Sequence, residues 1–116
     1  MMIRHLALHL TLAMSAFAAD IGKEDVAGRR MSLMDEKKIE VYRFSKDGVA
    51  LAQLGTKDGP IAPPAFMWKI EAGRLVITDE GRVVDSFELL ERKDRRLKLR
   101  RRNGEIVVFH IERVDE

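Results

Sequence analysis

The feature that most constrains this sequence is its regular punctuation by turn residues. From position 29 onward, short stretches with apolar and polar residues in alternation are separated by Gly, Asp or Asn. The turn signals are Lys46-Asp47-Gly48, Ala72-Gly73, Glu80-Gly81, Lys93-Asp94 and Asn103-Gly104. Connections this short join antiparallel strands into hairpins and are too short for the crossovers that parallel strands need. The sequence therefore predicts an all-β protein.

The alternation predicts about eight strands joined mainly by tight turns, which is a single up-and-down antiparallel meander. They lie at 29–33, 39–45, 49–54, 66–71, 74–78, 83–90, 96–101 and 105–113. The longer connection 55–64 contains three prolines and is predicted to lie outside the sheet. Because closure removes the exposed edges of a sheet, we expect a closed or nearly closed barrel.

The same alternation predicts which side chains face the interior. A two-residue turn at Ala72-Gly73 would place Ile70 opposite Leu75 and Trp68 opposite Ile77, all on one face. In the predicted strand 39–45, Tyr42 and Phe44 share a face in the same way. An eight-stranded barrel is either filled by side chains or holds one small ligand, and the sequence leaves both open. The possible interior ligand contacts are Tyr42, Phe44, Trp68, Ile70, Leu75 and Ile77.

The final hairpin has two possible registers. A two-residue loop at Asn103-Gly104 would place long cations on the same face as Phe109, whereas a three-residue loop beginning at Arg102 makes the apolar set contiguous. Burying those cations costs far more than exposing a few aliphatic side chains, so we predict the longer loop with Gly104 in a bulge. His110 then lies outside, beside Arg96.

The first residues resemble a secretory signal peptide. Arg4 supplies the positive charge, an apolar stretch follows, and Ala16-Phe17-Ala18 has small residues where a signal peptidase cuts. The alternative is a first helix of the folded domain. We predict cleavage after Ala18, with a signal peptide at 1–18, a β-barrel domain at 19–116, and a periplasmic or secreted location.

Composition further limits the kind of exported protein that this chain can be. The chain has 116 residues and no cysteine, so disulfides and a lipid anchor on cysteine are excluded. A domain of about 100 residues buries enough surface for one core. The formal net charge of +2 falls by one when Arg4 leaves with the signal, so global charge gives no argument for nucleic acid.

Charge is nevertheless segregated along the chain. Between positions 92 and 102 there are eight basic residues and one acid, whereas the rest of the predicted domain is net acidic. Alternation would place part of this run in a row on the outer face of one strand, with neighbours about 7 Å apart. The row is Arg96, Lys98, Arg100 and Arg102, which we name the basic stripe. It either binds an anionic partner or is a solvated face paired with Glu88, Glu91 and Glu112.

The sequence contains little that supports catalysis or metal binding. His110 is the one histidine left after cleavage, and no serine lies in a nucleophile motif. No metal-ligand spacing occurs, and core packing is the better account of Met31, Met34 and Met67. We therefore predict no catalytic residues, metal or cofactor, and a protein that is not an enzyme. Nucleic-acid binding and a membrane-spanning segment are not expected either.

Two segments carry a resemblance to a known group. The runs at 42–48 and 68–77, followed by a closing pair of strands, resemble the small bacterial lipocalin-like domains of the calycin group. The resemblance implies an antiparallel barrel and a small apolar ligand. One departure is that Gly28-Arg29-Arg30 has Arg30 where lipocalins have the Trp that seals the barrel bottom.

The sequence thus favours an exported interaction module of the cell envelope with a basic outer stripe. The alternative is a carrier of a small apolar ligand. The stripe is a surface anomaly that the first hypothesis explains, and no residue pattern signals a cavity directly.

Overall fold

A computed structural model describes residues 20–114, so the predicted signal peptide and its cleavage site lie outside the described residues. One helical turn, α1 (Lys23–Val26), precedes the strands. The strands are β1 (Arg29–Leu33), β2 (Lys38–Phe44), β3 (Val49–Thr56), β4 (Ile61–Ala62), β5 (Ala65–Glu71), β6 (Arg74–Asp79), β7 (Arg82–Lys93), β8 (Arg96–Arg101) and β9 (Ile106–Arg113).

Eight of these strands form a closed antiparallel barrel. Each pairs with its neighbours in the chain, and pairing of β1 with β9 joins the first strand to the last. Strand β4 is additional and, within the described residues, pairs only with β3. The predicted all-β meander and its closure are confirmed. No helix within residues 20–114 is long and apolar enough to cross a membrane.

The connection between β3 and β5 differs from the prediction. Ile61 and Ala62 pair with Gly55 and Leu54, so part of the segment predicted to lie outside the sheet belongs to it. Strands β4 and β5 follow the same edge of β3, and the two prolines between them interrupt the ladder because they lack an N–H. Pro64 still contributes its carbonyl, which accepts a hydrogen bond of 2.9 Å from the Ala52 N–H on β3. This hydrogen bond keeps the segment between β4 and β5 attached to β3.

The predicted turns set the register of the sheet. Ala72 and Gly73 have φ angles of 53° and 77°, as a two-residue turn with both centres left-handed requires. Strand β5 consequently pairs with β6 as predicted, with Ile70 opposite Leu75. The turn between β7 and β8 lies one residue later than expected, at Asp94-Arg95, because Lys93 already pairs with Arg96.

The final hairpin adopts the three-residue loop. Gly104 has a φ of 93°, and the Arg101 N–H donates a 2.8 Å hydrogen bond to the Glu105 carbonyl. Leu97 lies opposite Phe109, and Arg96 lies opposite His110. The predicted register and the outward position of His110 are confirmed.

Side chains fill the barrel interior. Ring centroids of Phe87 and Phe109 are 5.5 Å apart, and those of Phe44 and Trp68 are 5.6 Å apart, both pairs edge to face. Every residue proposed as an interior ligand contact faces inward, and only Ile70 is partly exposed. These are Tyr42, Phe44, Trp68, Ile70, Leu75 and Ile77. Core packing was correct for Met31 and wrong for Met34 and Met67, which are exposed on a turn and on the outer face.

The barrel has two different ends. We name the end that carries α1 and the β2–β3, β5–β6 and β7–β8 turns the helix end, and the opposite one the ion-pair end. At the helix end, Ile21 and Val26 are buried, and the Ile21 N–H donates a 2.9 Å hydrogen bond to the Gly73 carbonyl. Arg30 faces outward and pairs with Glu112. The N-terminal segment therefore seals this end without the lipocalin Trp.

Candidate functional site

The basic stripe lies on the outer face of β8 over most of its length. Arg96, Lys98 and Arg100 are exposed, while the leucines between them are buried in the core. This follows from the alternation of a strand whose other face packs inside the barrel. Arg102 does not continue the row, since it lies in the β8–β9 turn and its Nη1 donates a 2.7 Å hydrogen bond to the Val83 carbonyl.

The three outward cations differ in their partners. Arg100 Nη1 lies 3.1 Å from Glu88 Oε1, an exposed ion pair across β7 and β8. Lys98 is opposite Glu91 in the ladder, yet neither it nor Arg96 forms an ion pair within residues 20–114. The third acid expected to neutralise the stripe, Glu112, instead binds Arg30 and lies 3.5 Å from His110 Nε2.

A shallow open depression adjoins the stripe at the helix end. It is lined by Lys93, Asp94, Arg95, Arg96 and His110. Lys93, Arg96 and His110 are successive partners across β7, β8 and β9. Asp94 is the one carboxylate among the lining residues, so the depression is predominantly cationic.

Sequence reasoning missed a second cluster, which lies inside the ion-pair end. Arg101 Nη1 is 3.0 Å from Glu40 Oε2 and 2.8 Å from Asp85 Oδ2, and its Nη2 binds the other Glu40 oxygen. The three side chains are 12–16% exposed. The Tyr42 hydroxyl donates a 2.7 Å hydrogen bond to Glu40. We name Arg101, Glu40, Asp85 and Tyr42 the ion-pair cluster.

The aromatic core is the floor of this cluster. The Arg101 guanidinium carbon is 5.5 Å from the centroid of the Phe87 ring and 5.9 Å from that of Phe109. Hydrogen bonding to Glu40 raises the pKa of Arg101, so the guanidinium stays charged. Burial, reinforced by the charge of Glu40, raises the pKa of the Tyr42 hydroxyl.

The signal for this cluster was present in the sequence. Arg101 belongs to the basic run, but strand alternation places it on the same face as Leu97 and Leu99, which are buried. Glu40 shares a face with Tyr42 in the same way. An inward-facing Arg and an inward-facing carboxylate on different strands predict a buried pair, because an isolated buried charge is too costly.

The described residues contain no group of three or more His, Cys, Asp or Glu side chains that could hold a metal ion. His110 is on the outer face, and the carboxylates of the ion-pair cluster are all bound to Arg101. No protein-family model, curated protein or solved structure matches this chain.

Proposed function

We propose that this protein is an exported interaction module of the cell envelope that binds an anionic partner through the basic stripe. The observation that carries the proposal is the pair Arg96 and Lys98, which are exposed, adjacent on one face and without ion pairs within residues 20–114. A solvated face that needed no partner would be expected to pair its cations with the acids on β7 and β9. Within residues 20–114, Arg100 is the one outward cation of the stripe that does so.

The interior supports a module in preference to a carrier. Five aromatic rings occupy the barrel lumen, with centroid distances of 5.5–6.4 Å between neighbours. A small apolar ligand would have to displace this packing. The closed eight-stranded meander supports the lipocalin-like assignment at the level of architecture, and architecture does not fix a ligand.

The geometry of the stripe favours an extended polyanion. Charges on one face of a strand repeat about every 7 Å, so a linear partner with regularly spaced negative groups can meet several at once. Such binding is largely electrostatic and weakens with ionic strength, because the Debye length falls to about 10 Å at 0.1 M salt.

The test measures binding to dextran sulfate, with neutral dextran as the ligand control. The R96E/K98E/R100E variant reverses the outward stripe, and R43E/R74E/R82E makes the same charge change at exposed arginines elsewhere on the barrel. We expect salt-sensitive binding that the stripe variant loses and the control variant largely keeps. Equal loss in both variants would show that only net charge matters and would refute the stripe.

Two companion measurements test the other parts of the proposal. N-terminal sequencing of protein recovered from the periplasm or medium should begin at Ala19, and a sequence that begins at Met1 would refute the signal peptide. Addition of long-chain fatty acids should leave the Tm of delipidated protein unchanged. A clear rise in Tm would favour the carrier instead.

A further inference from the structure

The seam that closes the barrel brings two arginines together at the helix end. Arg29 on β1 and Arg113 on β9 are direct partners in the ladder. Like charges placed directly opposite each other across two strands destabilise a sheet. A second such pair, Arg30 and Arg43, is compensated by Glu112, which binds Arg30.

Two further cations lie close to Arg29 and Arg113. Arg29 and Arg113 line two adjoining depressions, one together with Lys46 and the other together with Arg95. A Cβ added to Gly28 would lie 3.7 Å from Cε of Lys46, so the lysine stem passes beside the start of β1. We name Arg29, Lys46, Arg95 and Arg113 the seam cluster.

Nearby carboxylates do not balance this cluster. Glu24, Asp94 and Glu112 line the depressions, and Glu112 is already bound to Arg30. Asp25 on α1 pairs with Arg92 at 3.1 Å. Within residues 20–114, no member of the seam cluster forms an ion pair. Among the described residues that line these depressions, four cations are therefore accompanied by two uncommitted carboxylates.

We propose that the seam cluster binds a phosphate monoester group, either as a free phosphate or as a lipid headgroup. Guanidinium groups bind phosphate oxygens in bidentate fashion, and two adjacent arginines match a compact group with up to two negative charges. Binding there would also relieve the repulsion between Arg29 and Arg113. The site uses none of the stripe residues, so it goes beyond the proposed function.

The first measurement is Tm at low ionic strength, with added inorganic phosphate compared with chloride of equal ionic strength. Phosphate bound only by the folded barrel raises its stability by mass action. At about ten times the Kd we expect Tm to rise by roughly 5 °C or more, given the size of the domain. A phosphate effect no larger than the chloride effect would overturn the proposal.

The second measurement uses R29Q/R113Q, and R113Q alone, since Arg113 is exposed and its replacement leaves the core intact. Removal of the repulsion should raise Tm in the absence of phosphate and abolish the further rise with phosphate. The matched control R74Q/R82Q and the stripe variant R96E/K98E/R100E should retain the phosphate response. A seam variant that still responds like the original protein would place the anion elsewhere.

A third arm tests the chain's own acids as occupants. Asp115 and Glu116 lie outside the described residues, and D115N/E116Q removes both charges. If only this variant responds to phosphate, the cluster is an intramolecular contact and the proposal is wrong. An equal response in both proteins supports it.

A fourth arm distinguishes the two sources of the phosphate group. A soluble short-chain phosphatidic acid is titrated in parallel with inorganic phosphate. Affinity at least tenfold higher for the lipid identifies a headgroup site, and equal affinity identifies a site for the phosphate alone. Loss of both responses in R29Q/R113Q is required in either case.

Discussion

At the helix end of the barrel, Ile21 and Val26 cover the interior with apolar side chains, whereas at the opposite end Arg101 is held between Glu40 and Asp85. The apolar closure depends on buried area, which is lost in proportion to the atoms removed. The ion pairs at the opposite end stabilise the fold only while every partner is present, because a buried charge that loses its counter-ion is strongly destabilising. The two ends should therefore respond differently to the loss of one side chain.

The largest effect is expected for Arg101→Ala. The substitution leaves Glu40 and Asp85 without their counter-ion at sites where both are 13–16% exposed. Breaking a buried ion pair from one side costs about 3–5 kcal/mol. Urea unfolding followed by the fluorescence of Trp68, the one tryptophan, measures the change in the free energy of unfolding.

The control for this prediction neutralises the partners as well. In R101M/E40Q/D85N, no buried charge is left uncompensated, because the remaining acid that pairs with Arg101, Glu105, is 53% exposed. We therefore expect most of the lost stability to return. A triple variant as unstable as Arg101→Ala would mean that the guanidinium acts mainly by packing against Phe87 and Phe109.

A smaller effect is expected at the helix end for Val26→Ala. Val26 is fully buried, and removal of its two methyl groups costs transfer free energy plus a cavity term of about 2 kcal/mol in all. The same urea measurement applies. Ile106→Ala, at a residue that is half exposed, is the matched control and should change stability by less than about 0.5 kcal/mol. Similar losses at both positions would argue that α1 does not seal the barrel.

Tyr42 gives a spectroscopic view of the ion-pair end. Burial and the Glu40 carboxylate raise the pKa of its hydroxyl, so the folded protein keeps its proton where an unfolded chain would lose it. The contribution to stability is therefore full below about pH 10 and declines above it by up to about 1.4 kcal/mol per pH unit.

The measurement is tyrosinate absorbance, which reports Tyr42 alone because the chain has one tyrosine. We expect ionisation to coincide with alkaline unfolding. In Glu40→Gln, Tyr42 should ionise at lower pH relative to unfolding, since a charge that opposes ionisation is gone. Ionisation near pH 10 in the folded barrel would contradict the described burial of the cluster.

How much could be predicted from sequence also differs between regions of the molecule. The registers of the β5–β6 and β8–β9 hairpins followed from alternation and turn chemistry, including the three-residue loop with Gly104, because burial of long cations excluded the other choice. The β7–β8 turn was predicted one residue too early. The pairing of Ile61 and Ala62 did not follow, since the prolines beside them obscured a ladder that β3 could extend.

The ion-pair cluster was missed for a different reason. Its members are far apart in sequence, and Arg101 looked like one more residue of a basic run. Alternation assigned a face to each residue, but closure of the barrel decides which inward charges meet. The seam pair Arg29 and Arg113 was missed for the same reason, because it exists only where the first strand joins the last.

The smallest effect is expected for Arg100→Ala, next in the chain to Arg101. Its ion pair with Glu88 joins side chains that are 46% and 31% exposed, so water and salt screen the attraction and both side chains lose entropy. We expect a loss between zero and about 1 kcal/mol that shrinks further at high salt. Urea unfolding at two salt concentrations compares it directly with Arg101→Ala. A salt-independent loss as large as that of Arg101→Ala would show that burial does not separate the two arginines.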